Sequence, residues 1–583
     1  MKKLLFTVSF LLSAGAFKAQ GLYNNGADIV VSSGTYLVVD GTTGNFLNAT
    51  SGNDGEVHLT GTLKLGGNFT NNVLASDAFG TLATGSEVIF AGSGTQVIGG
   101  TSTATQNFDK ITINSGATVQ VTAGKKVTAA GATANAGTFT LLSTSADGTA
   151  TFIDNGTISG AGTFNAQQYL TGAGGASPSG RRWYIGSPVA SALSSCLDAA
   201  GNNRLQDYVE TNLQYSEITD NNTSLTVGKG YVFRGESNQT VTFTGGTFNT
   251  GAINRSSLTY TGTTNADRGS HLVSNPYPSF YDWEDASLTN VSSTITFRTV
   301  NLSSTMVFDT YNGATHIGTN NNGSGAVTRY IAPMQAFWVQ VNTAPGQVSF
   351  SNTGRSHQSS KLRGAVSNNL LRLNLTDGTN TDQLVVNFNA DASNGLEDFD
   401  SRKMFTAEIP QVYCGVSDNK LVINSLTEVT EETVVPVSVV LPTTSKYSFE
   451  ATGFTGTLID YTVYLEDKQT NVYHNLSENG TYNFNGVEGE NTNRFVLRFA
   501  KKAAGLEAIQ ATAIQVYTSN QILHITIPTE QGTVRLIDMS GRVVATRDLN
   551  TKVYQMEIPT VSGIYQVEVD SGSEHVVSKI IIE

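Results

Sequence analysis

The sequence predicts an all-β fold: a β-helix or solenoid-like N-terminal segment, then β-sandwich domains, then a small immunoglobulin-like β-sandwich at the C-terminus. Three observations predict it. The chain is crowded with Thr, Ser, Asn and Val, with 59 glycines and only 11 prolines among 583 residues. Such a composition favours pleated strands and tight turns over long helices. Short apolar runs alternate residue by residue with polar ones, the period of a strand with one buried face. The single extended apolar run that reads as helix stands at the very N-terminus. At roughly 100–200 residues per domain, this length corresponds to about three to five domains.

The N-terminal run has the layout of a secretory signal peptide over residues 1–19. Lys2 and Lys3 give the positive start, and Leu4 to Leu12 an apolar stretch too short to span a bilayer. Ala14-Gly15-Ala16 supplies the small-x-small pattern, so cleavage is expected after Ala16 or Ala19. No cysteine follows the apolar run, so a lipoprotein anchor is not expected. No later stretch is apolar enough for a transmembrane segment.

Residues 20–170 are the most repetitive. Segments such as GSEVIFAGSGTQVIGG and FDKITINSGATVQV place short strands between Gly-rich turns at roughly 15–25 residues per unit, the size of a solenoid rung. Stacked rungs would bury Val88, Ile89, Phe90, Val97, Ile98, Ile111, Ile113, Val119 and Val121 in one core. An ordinary sandwich is the rival reading. Residues 171–360 open on the loop Gly172 to Gly180 and hold all three tryptophans, Trp183, Trp283 and Trp338. Asn275-Pro276-Tyr277-Pro278 is a turn with two fixed φ angles. Residues 361–500 contain eight strand-like runs and read as a sandwich or jelly roll. Residues 505–583 pack five or more strands, with a hairpin at Met539-Ser540-Gly541-Arg542, where Gly541 supplies the positive φ.

Four resemblances follow from these residues. The Gly/Thr-rich segments resemble parts of adhesin-like surface proteins of the Bacteroidetes. SNPYPSFYDW, VFDTYNG, IAPMQAFWVQV and GRSHQ resemble a β-rich region of large secreted proteins of that phylum. FDSRKM, KLVINSL, YNFNG and RFVLRF resemble the module that precedes the sorting domain in such proteins. The last resemblance is the strongest: VRLIDMSGRVV, SGIYQVEV and VVSKIIIE look like the type A C-terminal sorting domain of the type IX secretion system. Asp538, Gly541, Arg542, Gly563, Tyr565, Lys579, Ile580 and Ile581 hold its motif positions. The usual YPNP entry is replaced by Tyr517-Thr518-Ser519-Asn520. This resemblance implies export through the type IX machinery, removal of the terminal module, and a product on the surface, often through attached lipopolysaccharide, or in the medium.

The chemistry-bearing residues are sparse. A net charge of −13 spread over the chain excludes nucleic acid as a partner class and fits solubility. The seven histidines include no pair at metal-clip spacing, and no nucleophile elbow, P-loop or Rossmann fingerprint appears. Glu284 with Asp285 is a carboxylate pair that a strand would point to opposite faces. Asp391, Asp398 and Asp400 in a polar loop are candidate calcium ligands, against the plainer reading of a solvated loop. Trp183, Tyr277, Trp283 and Trp338 could form a sugar-stacking platform, with core packing the better reading. Cys196 and Cys414 read as inert core thiols, with a bridge left open. No catalytic constellation is found. The chain is expected to be a secreted or cell-surface, adhesin-like or structural protein with non-catalytic contact surfaces. A surface glycan or protein is its expected ligand. The alternative is a carbohydrate-active enzyme or polysaccharide-binding protein on the same scaffold. An acidic or aromatic-lined groove along the solenoid would favour the alternative, and a smooth Thr/Asn/Ser face would favour adhesion.

Overall fold

A computed structural model describes residues 21–49, 55–172, 181–198, 204–261, 268–357, 369–502, 514–519, 522–557, 563–572 and 574–582. The signal-peptide residues, with Ala16 and Ala19, and most of the Gly172 to Gly180 loop lie outside them. Among the described residues the only helical elements are 3-10 turns of three to five residues. None is long and apolar enough to cross a membrane. The protein divides into two compact units, Met1–Ala500 and Lys501–Glu583.

The N-terminal repeats form a β-solenoid. Its strands pair in parallel with the next rung along three faces. The first is an eight-stranded sheet that begins Gly21–Asn24, Asn45–Asn48 and Phe69–Asn71. The second has six strands, including Thr62–Leu65, Glu87–Phe90 and Lys110–Ile113. The third face is built from two three-stranded sheets. Val119 sits opposite Phe139 and Phe69 opposite Ile98, so a rung takes 20 to 29 residues, mostly within the expected unit and in places a few residues longer. Strict alternation sends every second side chain inward. Val88, Phe90, Ile98, Ile111, Ile113, Val119 and Val121 are buried as expected. Ile89 and Val97 face outward instead, because each is one residue out of phase with its buried neighbours.

Aromatic rings fill the interior. Phe46, Phe69, Phe79 and Phe108 pack in tilted and edge-to-face pairs with centroids 5.1–5.8 Å apart. Phe139, Phe152, Phe164 and Phe248 form a second group. Burying each such ring stabilises the fold by roughly 1.5–3 kcal/mol. Buried amide side chains are paired across rungs: Asn24 Nδ2 donates to Asn48 Oδ1 at 2.9 Å, and Gln96 Nε2 donates to the carbonyls of Leu65 and Gly67.

The solenoid is closed by a distant segment. Gln239–Gly245 pairs antiparallel with the last rung strand, Thr163–Leu170, over seven residue pairs. This covers an edge that would otherwise template aggregation. Phe248, just beyond it, seals the end of the core against Phe139, Phe152 and Phe164.

Residues 171–360 are therefore divided. Their first part joins the solenoid core, while Tyr277, Tyr281, Trp283, Ile295, Phe297 and Phe337 build a core of their own. This second part packs on the third solenoid face. The Phe152 amide donates to Pro278 O at 2.8 Å. His357 bonds Thr128 and Thr151 Oγ1 at 2.9 and 2.7 Å. Arg355 donates to Asp154 Oδ1 at 2.7 Å, with both side chains essentially fully buried. The Asn275 turn is a clamp: its Nδ2 donates to the carbonyls of Ser279, Ile331 and Ala332.

Beyond it, strands from Asn369–Thr376 to Gly489–Lys501 form one continuous curled sheet. Leu373, Leu384, Val437, Phe449, Leu465, Phe495 and Leu497, from both halves of the sheet, share a single core. The C-terminal unit is a two-sheet sandwich. A three-stranded sheet (Gln515–Ser519, Ile522–Thr526, Val553–Glu557) and a four-stranded sheet (Val543–Leu549, Gly532–Asp538, Gly563–Ser571, Glu574–Ile582) enclose Leu523, Ile525, Leu536, Val567 and Ile580.

Candidate functional site

In the C-terminal unit the motif residues converge. Asp538, Tyr565 and Ile580 are direct cross-strand neighbours, although 27 and 15 residues separate them in sequence. Lys579 pairs with Gln566 one position along and is exposed. The hairpin loop is a tight turn with Gly541 at φ 83°. Its geometry is fixed by Asp538, whose carboxylate accepts from the amides of Ser540 and Arg542 at 3.0 and 3.1 Å and from Ser540 Oγ at 2.5 Å. The Ser540 hydroxyl and the Arg542 amide hold that carboxyl down at about 2. Tyr565 is buried in the core, Gly563 opens its strand, and Arg542 is 77% exposed. The turn, the aromatic anchor and the terminal Lys-Ile pair thus lie at one end of one sheet.

Two of the three candidate calcium ligands, Asp398 and Asp400, accept backbone amides through their carboxylates. Asp398 Oδ1 accepts from the Ser293 amide at 2.9 Å. Asp400 accepts from the amides of Ser425 and Glu397 at 2.7 and 3.0 Å. Burial pushes the Asp400 carboxyl up to about 6 despite those bonds. Asp391 lies on a separate turn, its amide bonded to Asn389 Oδ1. Among the described residues no three His, Cys, Asp or Glu side chains are grouped to hold a metal ion.

Glu284 and Asp285 do not alternate across a strand. They lie in a 3-10 turn, Trp283–Asp285, initiated by the Asp282 carboxylate, which accepts from the Glu284 amide. Glu284 accepts from Tyr311 and His316, each at 2.5 Å, and pairs with Arg329, which also pairs with Asp282 at 2.7 Å. Burial raises the Glu284 carboxyl, but these three donors outweigh it and hold it below the ordinary value. The cluster is a structural clamp. Tyr277, Trp283 and Trp338 are buried and Trp183 half-buried, so the four form no shared platform. Cys196 and Cys414 are free, and burial pushes both thiols up to about 12.

Two surfaces remain. The first is the outer side of the eight-stranded solenoid sheet. None of its eight strands carries Asp, Glu, Lys or Arg. Thr95, Thr118, Thr138 and Thr163 stand in register on four successive rungs. Val97, Gln120, Thr140 and Asn165 form the next column, in which Thr140 is buried and accepts from Asn165 Nδ2 at 3.2 Å. Strand geometry sets these rows about 4.8 Å apart and the columns about 6.6 Å apart. The six-stranded face, by contrast, carries Lys64, Glu87 and Lys110.

The second is a cleft of about 770 Å³ within the first unit, between residues of the 208–342 and 396–420 stretches. Tyr208, Tyr215, Tyr260, Phe308 and Trp338 line it, together with Arg402, Lys403 and Lys420. Tyr208 meets Trp338 edge-on at 4.7 Å and Tyr215 at 5.3 Å. Nothing local in the sequence marks this cleft, because its wall residues are brought together from points up to 212 positions apart.

Comparison with known families gives two matches. Residues 83–499 match the family described as "Domain of unknown function (DUF8693)", and residues 519–583 match the "Secretion system C-terminal sorting domain". The first match starts inside the solenoid and runs without a break through residues 170 and 360. No curated protein matches the chain.

Proposed function

The chain belongs to the DUF8693 family and is sorted by the type IX secretion system to the cell surface or medium, and from that premise we propose that it is an adhesin-like contact protein acting without catalysis. The observation that carries this reading is the charge-free outer side of the eight-stranded solenoid sheet. Threonine hydroxyls and Asn/Gln amides repeat there at the strand pitch. Each group offers both donor and acceptor capacity. A repeating polar polymer can therefore be met by many weak hydrogen bonds along one axis, the mode of contact that solenoids favour. The titratable groups elsewhere support a non-catalytic reading: Glu284, Asp398 and Asp400 are held by ion pairs and backbone amides.

Replacing Thr118 and Thr163 together by Lys in the full chain tests the contact face. Both sit on the outer side of the sheet, so the fold is retained and a charge enters each of two rungs. Retention of the exported protein on polysaccharide-coated beads is expected to fall sharply. Unchanged retention refutes the contact face. Removal of residues 501–583 is expected to abolish surface and medium fractions in a type IX-competent host.

A further inference from the structure

The aromatic cleft is separate from the solenoid face, and its chemistry is more selective. Tyr208, Tyr215 and Trp338 form a mutually braced wall of edge-to-face rings. Tyr184 supports Trp338 from behind at 5.9 Å. Trp338 is 5% exposed, and its indole N–H has no acceptor among the described residues. Tyr260 continues the wall beneath the Arg268 guanidinium, 4.9 Å from its ring centre. Flat rings held this way present hydrophobic faces at little entropic cost.

The charged groups of the cleft divide into committed and uncommitted ones. Lys403 is paired with Asp382 at 2.6 Å and Lys420 with Glu490 at 2.5 Å. Glu397, Asp398 and Asp400 each accept a backbone amide. Asp418 is exposed on the Val416–Asn419 turn. Arg402 differs from these: it is half-buried in the cleft wall, and among the described residues its side chain makes no hydrogen bond or ion pair. Its neighbours, Tyr260 and Arg268, supply no carboxylate, and loss of water lowers its proton affinity. A guanidinium is a rigid fork of donors matched to a carboxylate. Leaving one desolvated and unanswered costs stability, and a ligand carboxylate would recover that cost.

We propose that this cleft binds an acidic sugar unit of a polysaccharide, with the pyranose stacked on Tyr208 and Tyr215, which the buried Trp338 braces, and its carboxylate forked by Arg402. The volume suits a short oligosaccharide, since ligand clefts run from roughly 300 to 1,000 Å³. The aromatic wall alone would accept neutral and acidic sugars alike. The guanidinium supplies the discrimination, because it gains a charge-assisted bidentate pair only from the acidic form.

The test uses the full mature chain and calorimetric titration with trisaccharides of galacturonate, glucuronate and mannuronate, each beside its neutral methyl ester. At least one acid trisaccharide is expected to bind about tenfold or more tightly than its ester, the scale of one charge-assisted pair. Arg402→Gln is expected to erase that preference while leaving ester binding in place. Tyr215→Ala, a half-exposed residue whose loss the fold tolerates, is expected to weaken acid and ester together. Thr118→Lys on the solenoid face is expected to change neither, which separates this site from the contact face. Absence of binding across all three acids overturns the proposal. So does binding that Arg402→Gln and Tyr215→Ala leave unchanged, or a preference for an aromatic phosphate such as uridine monophosphate over every acid sugar.

Discussion

His357 ties the second core to the solenoid, and its titration should unlatch them. The ring bridges two solenoid threonines, Thr128 and Thr151. Burial lowers its pKa from 6.5 to about 4, and the nearby Lys126 and Arg355 charges push the same way. In the unfolded chain the ring takes up its proton near its ordinary value; in the folded chain it resists until well below that. The neutral ring's contribution is therefore complete above pH 6.5 and is lost as the pH falls through 4. The loss amounts to about 2 kcal/mol by about pH 5 and about 3 kcal/mol by about pH 4. Other groups titrate in this window, Asp400 with the opposite sign, so the difference between wild type and His357→Gln is the quantity to measure. The glutamine amide keeps a hydrogen-bonding group between the threonines and does not titrate. Urea unfolding midpoints of both proteins, taken from about pH 7.5 to about pH 4.5, should converge on acidification by roughly the stated energy. Parallel curves across that range would refute the buried neutral ring.

Three further outcomes follow from packing and charge. Phe248→Ala removes the ring that seals the solenoid end and should cost about 3–5 kcal/mol, read as a lowered urea midpoint with faster amide exchange in Thr163–Leu170. Arg355→Met strands the fully buried Asp154 carboxylate and should cost about 3–5 kcal/mol; adding Asp154→Leu should recover much of that loss. Asp400 carries a pKa raised to about 6 by burial, so its charged form opposes folding fully above that value and not at all below the ordinary 3.8. Asp400→Asn should remove roughly 3 kcal/mol of that opposition at neutral pH, less the cost of a weaker acceptor, and flatten the stability profile between about pH 4 and pH 6.

Much of the fold was legible because strand alternation is a local property. The alternation in Glu87–Phe90 and Lys110–Ile113 put Val88, Phe90, Ile111 and Ile113 inside. The same rule, applied strictly, excludes Ile89 and Val97, which composition alone had drawn into the core. The sorting-domain turn was legible for a related reason: Asp538 and Gly541 act on backbone within four residues of themselves. The carboxylates misled because their partners are remote. Glu284 gives no sign in sequence that Tyr311, His316 and Arg329 consume it, nor Asp400 that Ser425 does.

The sequence by itself determined the class of structure, the strand faces, the export address and the terminal hairpin, since each depends on residues a few positions apart. Only the tertiary structure decided where the solenoid ends, because the strand that closes it comes from residue 239 onward. It alone aligned Thr95, Thr118, Thr138 and Thr163 into one column, through rung lengths that vary from turn to turn. It alone set Arg402 beside Tyr260 in the cleft, with no ion pair to its side chain among the described residues. Pairing and solvent exclusion between distant segments are properties of the folded chain, and no local pattern of residues encodes them.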